Sequence, residues 1–209
     1  MGMYWRLVFY GVVMVIFGLY TIGLSLLGLL RKRPLVFASR QLMWVLFLAF
    51  LPNLVTSFEP LFTDWGQGDT ALLITLPLIS LSMMVLLIFV FWKQMSGYMV
   101  FGIYDETFRD ALTTALQRLN MPFQETISKI HLVELDADLQ VAVSAWMGVA
   151  QIRIKQSKQA QYVKQIAAEM NKYFEATPVK VNNLTFIVYL ILGILMLILA
   201  AVVVFSTRF

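Results

Sequence analysis

Cysteine is absent from the 209 residues. That excludes disulfides, thiolate metal sites and cysteine nucleophiles together. Histidine occurs once, at His131. One imidazole without thiolates or a second histidine cannot make a typical zinc site, so a structural or surface role is expected. Charge is scarce, at 13% of residues, against about a quarter in soluble chains. No G-x-G-x-x-G or Walker-type loop occurs, and no G-x-S-x-G elbow. Gly66-Gln67-Gly68 is an isolated turn pair. Glu134, Asp136 and Asp138 alternate as oxygen donors, but they lack the glycine and closing glutamate of an EF-hand loop. A solvated hairpin is the expected reading. No cofactor, metal or catalytic group is expected.

Hydrophobic residues make up 60% of the chain and are concentrated in blocks. A helix crosses a bilayer with about 20 apolar residues. Four uncharged segments reach that scale, at about 7–30, 42–58, 71–92 and 184–205. The second is the shortest and contains Pro52 and Asn53. The first is too long for a signal-peptide core and has no small-residue cleavage site after it. Tyr4, Trp5, Trp44, Trp65 and Trp92 fall near span ends, where an interfacial aromatic belt belongs.

The loops between spans carry opposite charge. Arg31, Lys32, Arg33 and Arg40 fill the first, while Glu59, Asp64 and Asp69 fill the second, which has no Lys or Arg. Basic loops stay in the cytoplasm. The first loop and residues 93–183 are therefore expected to be cytoplasmic, with both termini external. Of the 16 Lys and Arg, all but Arg6 and Arg208 then lie on the cytoplasmic side. The four residues of the first loop are assigned to orientation and to lipid headgroups. The absence of organelle-targeting signals fits a prokaryotic cytoplasmic membrane. Asn183-Leu184-Thr185 matches a glycosylation pattern, but it falls at a cytoplasmic boundary and is discounted.

Residues 93–183 have a different pattern. Tyr98–Tyr104 reads as a strand, with Asp105 as a helix N-cap. Phe108, Ala111, Leu112, Ala115, Leu116 and Leu119 then make one apolar helical face. Strands are expected at about 127–133, 139–145 and 150–155, with turns at 136–138 and 146–148. A second amphipathic helix is expected over about 158–174, with a short strand at 179–181 after it. The order β-α-β-β-β-α predicts a small α+β domain of ferredoxin-like layout. Its basic and acidic residues nearly balance, so nucleic-acid binding is not expected. Short tethers hold it close to the third and fourth spans.

The span interiors carry no acidic or basic residue, which argues against proton relays and intramembrane metalloprotease chemistry. They carry small residues at heptad spacing instead: Gly11, Gly18 and Ser25, with Gly28 one ridge over, and Gly193 with Ala200. Such stripes allow close helix packing, within the chain or with a partner. Trp146 and Met147, at a hairpin tip, are the expected partner contacts.

Together these features lead to the expectation of a non-enzymatic accessory or assembly subunit of a larger membrane complex. Its partners would be membrane lipid and other membrane protein subunits or a second copy of the chain. The alternative is a membrane sensor or transport regulator whose α+β domain binds a small ligand. A pore or lipid-handling protein ranks last, because only Asn53, Thr56, Ser57, Thr75, Ser80 and Ser82 could line a polar path.

Overall fold

The computed structural model describes residues 2–63, 70–94, 97–125, 129–154 and 159–206. Two compact units emerge. One comprises Met1–Ile22, Leu42–Gln94 and Ile191–Phe209; the other comprises Gly23–Gln41 and Met95–Leu190.

The first unit is helical. It holds most of α1 (Gly2–Arg31), α2 (Ser39–Thr63), α3 (Thr70–Gln94) and the greater part of α6 (Asn183–Ser206). Among the described residues, three apolar stretches are long enough to cross a membrane: Leu7–Arg31, Ser39–Phe58 and Asn183–Phe205. The described apolar part of α3, Pro77–Trp92, is shorter. α2 extends beyond the expected span at both ends, and Pro52 does not stop it. The Thr56, Ser57 and Ser82 hydroxyls donate to the carbonyls of Pro52, Leu54 and Leu78, at 2.9, 2.7 and 2.7 Å. These bonds occupy the hydroxyls within their own helices. The Asn53 side chain and residues 64–69, with Asp64, Trp65 and the Gly66–Gly68 pair, lie outside the described ones.

The second unit is a six-stranded antiparallel sheet with helices. Its order is β1-β2-β6-β5-β4-β3. The strands are β1 (Leu35–Ala38), β2 (Tyr98–Phe101), β3 (Phe123–Glu125), β4 (Lys129–Leu132), β5 (Ala137–Ser144) and β6 (Val149–Ile154). α4 (Asp105–Arg118) follows β2, and α5 (Ala160–Ala176) follows β6. Val100, Leu132, Leu139 and Ile152 from the sheet form one core with Phe108, Leu112 and Leu116 of α4 and Ile166 and Met170 of α5. The expected face of α4 is the buried one.

Several expectations are corrected. β1 lies within the basic loop, which read as plain connection; Leu35–Ala38 pairs with Tyr98–Phe101. β3 is a further unforeseen strand, pairing Phe123–Glu125 with β4. β2 stops at Phe101, because Gly102 turns to φ +75°, a conformation that favours glycine. Tyr104, not Asp105, is the N-cap of α4, without a side-chain bond. Asp105 and Glu106 instead occupy the first turn, where the helix dipole favours carboxylates. Residues 179–181 form no strand. The layout also departs from ferredoxin-like. The α4 crossover joins β2 to β3 with three strands between them, and β3 to β6 run as a meander, rather than as the interleaved strands of split βαβ units.

Candidate functional site

A junction of buried side chains and close backbone lies in the sheet unit at the start of α6. Phe186, in the first turn of α6, is fully buried. A Cβ on Gly28 of α1 or on Gly102 after β2 would overlap its ring. Both positions must therefore be glycine for the ring to seat. The backbone beside them is stitched together. Asn182 N–H donates to Gly102 O at 2.9 Å, and the N–H groups of Gly102 and Ile103 donate to Gly148 O at 2.8 and 3.0 Å. Thr185 Oγ1 donates to Met147 O at 2.7 Å. Gly148, at φ +60°, has no room for a Cβ against Thr185. Phe37 of β1, Phe101 of β2 and Tyr189 of α6 extend the junction in an edge-to-face series, with centroids 6.1 and 5.8 Å apart.

The small residues named from sequence are all buried: Gly11, Gly18, Ser25, Gly28, Gly193 and Ala200. α1 and α6 supply both sides of the contacts. A Cβ on Gly18 would lie 3.0 Å from Gly193 O, and one on Gly11 would lie 3.3 Å from Val204. A Cβ on Gly193 would press on Thr21 Oγ1 at 2.6 Å and Gly18 O at 2.9 Å. The two helices thus approach at backbone distance, as small residues allow.

The basic loop is put to mixed use. Arg33 Nη1 pairs with Glu175 Oε1 of α5 at 2.9 Å, so its charge holds the loop to the domain. Arg31, Lys32 and Arg40 are exposed. Lys32 adopts φ +47° at the end of α1. Trp146 and Met147 lie in the turn between β5 and β6, 78% and 43% exposed.

His131 Nδ1 lies 3.1 Å from Asp138 Oδ1. An ionised carboxylate can only accept, so the ring nitrogen donates. That hydrogen bond, with the charge of Lys129, holds the Asp138 carboxyl below its usual range. Glu134 stands apart in the short 3-10 turn Val133–Leu135. No group of three metal-ligating side chains occurs among the described residues.

A cavity of about 230 Å³ opens between α4 and the β3–β5 side of the sheet, lined by Phe108, Leu112, Ile130 and Val141. Its charged members include Arg109 and Glu125, paired at 3.0 Å.

Phe186, Gly102 and Asn182 are not singled out by the sequence, and Thr185 enters there only within a discounted glycosylation pattern. The available signal was a lone glycine following a strand and a polar pair preceding an apolar run. Neither identifies the side chain that approaches it. Comparison with protein-family models, curated proteins and solved structures returned no match.

Proposed function

We propose that this chain is a non-enzymatic accessory or assembly subunit of a larger membrane protein complex. It docks through its transmembrane helices and presents its α+β domain to a cytoplasmic partner. The observation that carries this reading is the junction around Phe186. Gly28, Gly102, Asn182 and Thr185 lock the sheet to the end of α1 and the start of α6. A sheet packed within its own unit against these helix ends offers a firm docking surface.

The same junction supports four spans. β1 and β2 are neighbours in one sheet, so the chain returns after α2 to the side it left. If α2 crosses the bilayer, a second crossing must bring it back, and α3 is the helix between α2 and β2. The basic loop and the domain then share the cytoplasmic side of a prokaryotic membrane, with both termini external.

The test is gentle extraction of the native protein, size separation and mass spectrometry of what travels with it. A stoichiometric larger assembly is expected. A lone monomer or homo-oligomer would overturn the reading.

The α4 cavity favours a second reading, a sensor or transport regulator whose domain binds a small ligand. Its 230 Å³ is slightly below the usual range for small-molecule pockets, about 300–1,000 Å³. Thermal stabilisation by a metabolite or nucleotide, lost in Leu112→Trp, would support it. No shift across such a screen would count against it.

A further inference from the structure

The β5–β6 turn presents an apolar tip: Trp146 is 78% exposed and Met147 43%. Water is a poor solvent for such a pair at the end of a hairpin. The structure fixes where the tip is held. Thr185 Oγ1, in the first turn of α6, donates to the Met147 carbonyl, and Gly148 abuts both Thr185 and Asn182. The tip is therefore anchored at the entry of a helix apolar enough to cross a membrane. On that helix Leu184 and Val188 are 58% and 54% exposed. The end of α1 belongs to the same junction through Gly28 and Phe186, and its Leu30 is 78% exposed. Arg31 and Lys32 follow immediately, both exposed.

From this continuity we infer that Trp146 and Met147 are a membrane foot. They enter the boundary between lipid headgroups and acyl chains beside the start of α6. The occupant of this apolar tip is the lipid surface, not a cytoplasmic protein. The chemistry suits it. Tryptophan favours the membrane–water interface, with its ring in the apolar layer and its N–H toward water. Exposed Arg31 and Lys32 add attraction for anionic headgroups at the same end of α1. The foot gives the sheet a third point of support, besides α1 and α6. This inference rests on the membrane reading of α1 and α6.

The absence of other competing signals can be engineered. Among the five tryptophans, Trp5, Trp44, Trp65 and Trp92 are replaced by Phe in the full chain, leaving Trp146. The protein is reconstituted in vesicles of phosphatidylcholine and phosphatidylglycerol. Bromines are placed at shallow or deep acyl positions, and water-soluble acrylamide is used as a second quencher. A control chain carries Trp146→Phe and Ile194→Trp, within α6. The expected result for Trp146 is blue-shifted emission and a larger loss of intensity with shallow than with deep bromines. Its depth should be that of interfacial side chains, about 5–10 Å. The control should be quenched most by deep bromines.

If the control is quenched this way while Trp146 answers only to acrylamide, the foot is overturned and the membrane reading stands. If Trp146 answers to neither quencher, a protein surface covers it, and the inference is equally overturned. If the control itself answers to acrylamide alone, the membrane reading and the foot both fall. Should the fourfold variant fail to reconstitute, the cysteine-free chain accepts Met147→Cys with a spin label. Oxygen accessibility exceeding that of a chelated nickel reagent then supports the foot, and the reverse order overturns it.

Discussion

The two units solve the burial problem in opposite ways. In the sheet unit, Val100, Ile103, Phe108, Leu139, Ile152 and Ile166 are wholly enclosed, and polar residues such as Gln140 and Arg153 pair on the sheet at 2.8 Å. That is the arrangement water selects. In the helical unit the order is inverted. Leu78, Ile79, Met83, Val85, Leu86 and Phe89 of α3 are exposed, while the buried positions of α1 and α6 include Gly11, Gly18, Thr21 and Gly193. Small residues line the close contacts of α1 and α6 while many large apolar ones face outward, a pattern suited to surroundings in which packing must provide the attraction. One chain thus carries two patterns of burial, and that of the helical unit is compatible with a membrane.

The largest expected effect comes from truncating the ring buried at the junction within the sheet unit. Phe186→Ala should cost about 3–5 kcal/mol in unfolding of the sheet unit. Ile79→Ala, an equally apolar deletion on the exposed face of α3, should leave stability in lipid nearly unchanged. Chemical unfolding in detergent and in bicelles measures both. Comparable losses would erase the contrast between the units.

A smaller loss is expected from adding bulk to the helix seam. Gly18→Leu places a branched side chain against Gly193 O and Leu197, and overpacking costs about 1–3 kcal/mol. The melting temperature of the helical unit should fall, whereas amide exchange in β5 and β6 should keep its protection.

Thr185→Val removes the hydroxyl that holds the Met147 carbonyl. About 0.5–1.5 kcal/mol is expected, read as faster exchange in residues 145–148 with the core strands unaffected.

The smallest effect is a pH dependence. The Asp138 carboxyl is held below its usual range mainly by the hydrogen bond from His131. A depressed carboxylate contributes stability that is present above the unfolded-state value and lost as pH falls through the folded-state one. Stability curves for the native chain and Asp138→Asn should therefore converge on the acid side of the ordinary carboxylate range. Curves that stay parallel there would remove His131 from any stabilising role.

Legibility in the sequence followed the same division. The α4 face from Phe108 to Leu116 was readable, because five buried residues recur at helical spacing. The turn at 146–148 was readable from its glycine and its flanking alternation. Leu35–Ala38 was not, since four apolar residues between Arg33 and Arg40 have no visible period. Their partner strand begins at Tyr98. β3 is three residues long, too short for any alternation to show. The heptad stripe marked small residues on α1 and α6, but spacing alone left open whether a partner or the chain itself faced them. Phe186 was hidden among apolar neighbours in α6; nothing in Asn183–Ser206 distinguishes the ring that points to glycine from those that point outward. Contacts set by distant backbone, such as Gly28 and Gly102 on one ring, have no local signature.

The pairing of β1 with β2 has a consequence for how the protein is made. Synthesis delivers Leu35–Ala38 early, then threads residues 39–97, including two helices, before the complementary edge exists. The first strand must wait unpaired while α2 and α3 are placed. Closure of the sheet edge therefore waits for Tyr98–Phe101 to follow α2 and α3 in the chain, and until then β1 is an open strand edge of the kind that invites mispairing.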